Sequence, residues 1–325
     1  MLPAPAAETL PVYPASWYLF CSARRLRRGP FARDLLSRRL VVYRTAAGRL
    51  AALDARCAHL GADLGEGRVI GDDLQCAFHN WQYGPDGRCT HIPATPQIPA
   101  LARQACYPVV ERHGFVFVFN GPDALFPLPC FTDMDSQALV AARPLQFHAD
   151  CPWYLVNGNS FDVQHFRATH DRELIGAPAI DCPHPFARRI SLTFAVVGHS
   201  IFDWLLRRSV GDRVEVSMTN WGGSIVVVTG RFRRTISRLI TFIEPLGPER
   251  CVQNVLVFAR RYRFRPLGVL LEPLSLALRR LFTRGFMAEE FQTLAGIRYN
   301  PAGVVPSDRP LLDFFRWVSE LPQAR

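Results

Sequence analysis

Arg56 to Cys89 reads RCAHLGADLGEGRVIGDDLQCAFHNWQYGPDGRC. It holds two short ligand pairs, Cys57-x-His59 and Cys76-x-x-His79, joined by a glycine-rich, acidic connection. Cysteine and histidine in closely spaced pairs favour one shared metal site, because each tight turn lets two side chains converge while the connection closes the loop. Zinc is the first metal to weigh. Both pairs here are mixed, however, whereas common zinc fingers pair Cys with Cys and His with His. Glycines 61, 65, 67 and 71 supply tight turns with exposed backbone N–H groups, which suit a cluster whose sulfides accept hydrogen bonds. Trp81 and Tyr83 add an aromatic cover. Cys89 and His91 follow closely, but four ligands already complete the set, so Cys89 reads as a buried structural thiol and His91 and His113 as ordinary histidines.

Outward from this stretch, the chain has the composition of a folded protein. It is 325 residues long, 49% hydrophobic and 20% charged, which excludes a disordered chain and allows two domains. The net charge of +10 comes largely from arginine clusters such as Arg24-Arg25-Leu26-Arg27-Arg28 and Arg260-Arg261-Tyr262-Arg263. No base-reading motif accompanies the charge, so a basic face for an acidic partner or an anionic membrane is the better reading than nucleic acid. Nine scattered cysteines, and an N-terminus (MLPAPAAETLPVYPASW) without basic or apolar signal regions, fit reduced thiols in a cytoplasmic protein.

Short apolar runs at Trp17–Phe20, Leu40–Arg44, Leu50–Leu53, Tyr107–Val110 and Phe115–Phe119 predict an all-β first domain. The pattern thins between Gly121 and Ser136, which places a first domain at 1–125, a linker at 126–140 and a second domain at 141–325. Asn157–Arg172 reads as helix. Strand-like runs follow at Ile190–Val197, Arg213–Met218, Ser224–Thr229, Ile236–Ile243 and Cys251–Ala259, then helix over Leu267–Thr293 and Pro310–Leu321. The fold class is therefore α+β, with a large antiparallel sheet in the second domain. Leu267–Phe282 is too short and too charged for a span. The default is a helix that covers the sheet or lines a pocket, while peripheral membrane contact through 267–286 stays open.

The second domain carries GNSFDVQHFRATHDRE, with His165 and His170. On an ideal helix a five-residue step is roughly 500°, leaving the two rings roughly 140° apart, so a shared ligand needs a distorted or ended helix. Read alone, these could equally be two unrelated histidines.

The first stretch closely resembles a Rieske [2Fe–2S] domain, whose motif is C-x-H followed by C-x-x-H. The resemblance implies that Cys57 and Cys76 hold one iron and His59 and His79 the other. One departure is Asn80, where many family members have Gly. Asn159-x2-Asp162-x2-His165-x4-His170 is similar to the mononuclear-iron motif of Rieske non-haem iron oxygenases, and with it the resemblance runs along essentially the whole chain. It implies a helix-grip-like catalytic domain and a triad of two histidines and one downstream carboxylate. Members usually show an Asp opening a helix, with apolar residues three or four and seven positions on. Here Glu290, followed by Leu294 and Ile297, takes that place, with Glu289 the runner-up and Asp308 or Asp313 further behind. Asp162 would bridge a triad histidine to His79 of a neighbouring subunit in a head-to-tail homotrimer, and Asn159 is a weaker hydrogen-bonding candidate.

The family resemblance implies the oxygenase component of a monooxygenase or dioxygenase. Its electrons come from NAD(P)H through a reductase, with or without a ferredoxin, and its cofactors are the [2Fe–2S] cluster and mononuclear Fe(II), with O2 as co-substrate. Apolar residues around Phe161–Phe166, the sheet and Leu267–Phe286 favour a hydrophobic small-molecule substrate. The rival is a non-catalytic Rieske electron-transfer protein, which the Glu-for-Asp departure keeps open.

Overall fold

The computed structural model describes residues 4–199, 201–262 and 264–323. The chain divides into two compact units, one running from Trp17 to Pro127 and the other comprising the N-terminal segment to Ser16 and residues Leu128–Gln323.

The first unit is all β. It contains β1 (Trp17–Ser22), β2 (Phe31–Leu35), β3 (Arg38–Arg44), β4 (Leu50–Asp54), β5 (Arg68–Ile70), β6 (Asp73–Gln75), β7 (Gln82–Tyr83), β8 (Cys89–His91), β9 (Val109–Arg112) and β10 (Phe115–Phe119). They form three antiparallel sheets, in the orders β1-β10-β9, β2-β3-β4 and β5-β6-β7-β8. Strands β5 to β8 were not legible in the periodicity, being two or three residues long. The β9–β10 hairpin pairs Arg112 with Phe115, so His113 and Gly114 are its two-residue turn, both at positive φ. His113 therefore serves the turn. Val41, Tyr43, Leu53, Leu64, Leu74 and Tyr83 make the core around Cys57 and Cys76. Burying Leu64 and Leu74 contributes about 1.5–3 kcal/mol each, and it fixes the two ligand-bearing loops from below.

The glycines of this region work in two ways. Gly61 and Gly71 have positive φ and make turns, whereas Gly65 and Gly67 are needed for close approach. A Cβ on Gly67 would lie 2.2 Å from the Gln75 carbonyl oxygen, a backbone atom that no rotamer change can move. Gly67→Ala is expected to destabilise this unit by about 1–3 kcal/mol. The readouts are a lower thermal midpoint and loss of the cluster's visible absorption, since the displaced strand leads into Cys76.

The second unit is α+β. Its elements are β11 (Leu139–Ala141), β12 (Leu145–Ala149), α1 (Trp153–Gly158), α2 (Val163–His170), β13 (Arg172–Leu174), β14 (Ala179–His184), β15 (Ala187–Val196), α3 (Ile201–Val210), β16 (Arg213–Trp221), β17 (Ile225–Phe232), β18 (Ile236–Gly247), β19 (Arg250–Arg260), α4 (Arg265–Thr293) and α5 (Arg309–Ser319). Strands β15 to β19 form a consecutive antiparallel meander, extended by β11 and β12 at one edge and by β13 and β14 at the other. Helix α4 packs on β19 and β12, while α1 packs on α5. Trp153, Phe161, Phe194, Phe314, Phe315 and Trp317 dominate the core.

Three expectations need correcting. Residues 4–16 pack with the second unit rather than the first: Trp153 Nε1 donates to the Pro11 carbonyl at 2.8 Å, and Leu10 joins that core. Strand β11 begins inside the expected linker, because three residues are too few to register as a strand pattern. The helix expected across Asn157–Arg172 is broken. Asp162 is extended, with ψ of 95°, and splits it into α1 with a 3-10 turn and then α2. The Leu267–Phe282 stretch covers the sheet as expected, as part of α4 on β19 and β12. Leu267, Leu270, Leu274, Leu278 and Leu281 form a single exposed stripe along α4, while Arg279 turns inward to the Ile236 carbonyl. No helix among the described residues is long and apolar enough to cross a membrane.

Candidate metal centres

The two ligand loops of the first unit are built alike. The Gly61 N–H donates to the Cys57 carbonyl at 2.8 Å, and the Asn80 N–H donates to the Cys76 carbonyl at 3.1 Å. Gly61 and Asn80 each stand four residues after their cysteine, and both are left-handed, with φ of 74° and 59°. That accounts for the Asn80 departure: after Gly, Asn is among the residues that best tolerate this conformation. Cys57 and Cys76 are buried, while His59 and His79 are exposed at the tips, flanked by Leu60 and Phe78. The imidazole centroids are 4.7 Å apart, and His59 stacks on Trp81 at 4.5 Å.

The donor chemistry fits a two-iron cluster. Among the described residues, no three of these four ligands bring donor atoms within 4.8 Å of one another, as a single tetrahedral ion would require. Burial raises the Cys57 thiol above its ordinary range in the metal-free protein, so a bound cation is what would keep it deprotonated. The Tyr83 hydroxyl lies 3.1 Å from Cys57 Sγ, and a hydrogen bond to a ligand sulfur raises a cluster's potential.

In the second unit, Asp162 caps α2. Its Oδ1 accepts from the N–H groups of Gln164 and His165, each at 3.1 Å, which sets His165 in the first turn. At the other end, Asp171 is left-handed and its N–H donates to the Phe166 carbonyl five residues back. This wider closing turn swings His170 toward the side of His165, as an ideal helix would not. Arg172, ion-paired with Asp203 at 2.8 Å, donates to the His170 carbonyl at 2.7 Å and fixes the helix end.

Glu290 completes the arrangement. Its Oε2 lies 2.6 Å from His165 Nε2 and 2.8 Å from His170 Nε2, and its Oε1 accepts from Asn159 Nδ2 at 2.9 Å. These three residues are the one group among those described whose donor atoms all lie within 4.8 Å. Glu290 sits in the last turn of α4, not at a helix opening. An anionic side chain there opposes the helix dipole, and only 8% of the residue is exposed. Burial works against its charge, yet hydrogen bonds from His165 and His170 outweigh burial and bring its pKa down to about 2. For His165, burial would lower the pKa, and the bond to Glu290 reverses this and raises it. Two imidazoles, one carboxylate and a nearly dry setting fit Fe(II) with positions left open.

Glu289 stays outside this group: its side chain is 60% exposed, with Oε2 3.7 Å from His170 Nδ1. Asp308 accepts from Gln164, and Asp313 pairs with Arg316, so neither joins the group. Sequence reasoning missed two neighbours. Thr169 Oγ1 lies 3.2 Å from His165 Nδ1, and Phe286 stacks on His170 at 3.9 Å. Helical spacing could have flagged both: Thr169 is four residues after His165, and Phe286 four before Glu290.

The family model for the Rieske [2Fe–2S] domain matches residues 16–108. Aminopyrrolnitrin oxygenase PrnD of Pseudomonas fluorescens is 34% identical over 166 residues, covering 48% of this chain and 46% of that protein. A 3-ketosteroid-9-alpha-monooxygenase oxygenase component of Rhodococcus rhodochrous is 38% identical over 114 residues, or 35% of this chain and 30% of its own length. These alignments span less than half the length of the curated relatives. Among solved structures, Pseudomonas putida CBB5 NdmA with caffeine aligns over 94% of this chain and 89% of its own, with a TM-score of 0.70 and 21% identity, which shows the shared fold. Fold and donor sets define a protein that joins a Rieske [2Fe–2S] domain to an α+β domain in which two histidines meet a carboxylate. Along nearly its whole length the chain shares the fold of NdmA.

Proposed function

We propose that this chain is the oxygenase component of a Rieske-type oxygenase. It takes NAD(P)H-derived electrons from a reductase, directly or through a ferredoxin, and uses O2 to hydroxylate, demethylate or desaturate a hydrophobic small molecule. The observation that carries this reading is the meeting of His165, His170 and Glu290 within hydrogen-bond distance, in a chain that also holds a Rieske cluster donor set. Fe(II) held by two imidazoles and one carboxylate supplies open coordination positions for reductive O2 chemistry.

Each residue then has a task. Cys57 and Cys76 hold the buried side of the cluster, and exposed His59 and His79 present its other side to redox partners. Asp162 holds His165 through its backbone and, in a homotrimer, would carry the link to His79 of the neighbouring subunit. Asn159 fixes one Glu290 oxygen so that the other faces the histidines. The excess of arginine suits an acidic electron donor. Phe286, stacked on His170, puts an aromatic face beside the centre, consistent with an apolar substrate.

Iron analysis of the reconstituted protein tests the reading. Three irons per chain are expected, two of them in the cluster, together with reductant-dependent O2 uptake that a substrate stimulates. His165→Ala should keep two irons and lose the uptake. A wild-type content of two, unchanged by His165→Ala, overturns the oxygenase reading in favour of simple electron transfer.

A further inference from the structure

The two histidines of the centre are held differently at their outer nitrogens. His165 Nδ1 has the Thr169 hydroxyl at 3.2 Å, one helical turn away. His170 Nδ1 is buried and has no hydrogen-bond partner among the described residues, and the His170 side chain is only 1% exposed. A buried ring nitrogen without a partner is costly, and a histidine that ligates a metal almost always donates its other N–H to a carboxylate, carbonyl or water. One carboxylate oxygen stands close: Glu289 Oε2, at 3.7 Å.

We propose that Glu289 is the positioning residue of His170, accepting its Nδ1–H when the centre binds Fe(II). Consecutive residues on a helix project about 100° apart, so Glu289 and Glu290 straddle a single imidazole. Glu290 faces its Nε2 at 2.8 Å and Glu289 approaches its Nδ1 from outside. Phe286, from the same turn of α4, closes the third side by stacking at 3.9 Å with 16° between the ring planes. One helical turn thus grips a ligand that stands at the end of another helix. The remaining gap exceeds a hydrogen bond by less than an ångström, roughly, and a largely exposed carboxylate is free to close it by rotamer change. Coordination at Nε2 fixes the proton on Nδ1, which is the tautomer that Glu289 can hold.

This inference rests on the proposed histidine–carboxylate centre, and its test separates the two. Fe(II) would be removed from the mononuclear centre with a chelator and titrated back into protein that retains its cluster, for wild type, Glu289→Ala, Glu289→Gln and Glu290→Ala. Glu289→Ala should weaken Fe(II) binding about 10–100-fold, and Glu289→Gln, whose amide oxygen still accepts the bond, should lie within about threefold of wild type. The electron paramagnetic resonance spectrum of the nitric oxide adduct should change shape in Glu289→Ala, where the His170 ring is free to rotate, and return to the wild-type shape in Glu289→Gln. Wild-type affinity and spectrum in Glu289→Ala overturn the positioning role. If instead Glu289→Ala abolishes Fe(II) binding while Glu290→Ala retains it, Glu289 is the ligand and the assignment of the centre itself fails.

Discussion

Glu290→Ala is expected to abolish Fe(II) retention and substrate-dependent O2 uptake while leaving the cluster's visible spectrum unchanged. The first loss follows from the donor count. The substitution removes one of three ligands and the only anionic one, so two neutral imidazoles would face a divalent cation in a nearly dry site. The unchanged spectrum follows from chain organisation, since the cluster's donor set lies wholly within Trp17–Pro127, a compact unit to which Glu290 does not belong. Circular dichroism separates the loss from misfolding. Removing Glu290 also frees α4 from an unfavourable carboxylate at its C-terminal end, so helix content should hold. Retained Fe(II) at wild-type affinity would show that another group supplies the carboxylate.

Asp162→Asn separates two duties that fall on one side chain. As the cap of α2, Asp162 uses only Oδ1, and Asn caps a helix as well as Asp does. Stability should therefore change by no more than about 0.5 kcal/mol, whereas Asp162→Ala should lose about 1 kcal/mol. If Asp162 also carries the link between centres, Asn lacks the charge and acceptor geometry that such a bridge needs. Turnover should then fall about 10–100-fold in Asp162→Asn with all three irons bound. Single-turnover transfer from the reduced cluster, followed by stopped-flow absorbance, reads the step directly. A transfer rate like that of wild type would confine Asp162 to capping α2.

Much of this protein was legible before its coordinates. The Cys57–His79 stretch declares its chemistry because cluster ligands must come from tight local turns, and local turns are written in consecutive residues. The long strands β15 to β19 declare themselves through apolar runs that a buried sheet face demands. The strands of two or three residues beside the cluster do not, because so few residues cannot establish a period.

The second centre was legible in kind but not in geometry. His165 and His170 read as a pair, yet an ideal helix holds them on different sides. Their convergence depends on Asp162 starting α2 and on a wide turn at Asp171 ending it, held by Arg172 and Asp203 from outside the motif. Glu290 lies 120 residues beyond His170, and only the family resemblance, through the spacing of Leu294 and Ile297, ranked it above Glu289. Packing separates the two physically, by burying one carboxylate of α4 against two imidazoles and leaving the other beside His170 Nδ1. The sequence by itself determined the cluster loops, the large sheet and the residue types of the second centre, because short-range spacing and periodicity encode them. The tertiary structure decided how Glu290 meets the histidines and where Glu289 is left, since that depends on how a helix distant in sequence is rotated about its own axis.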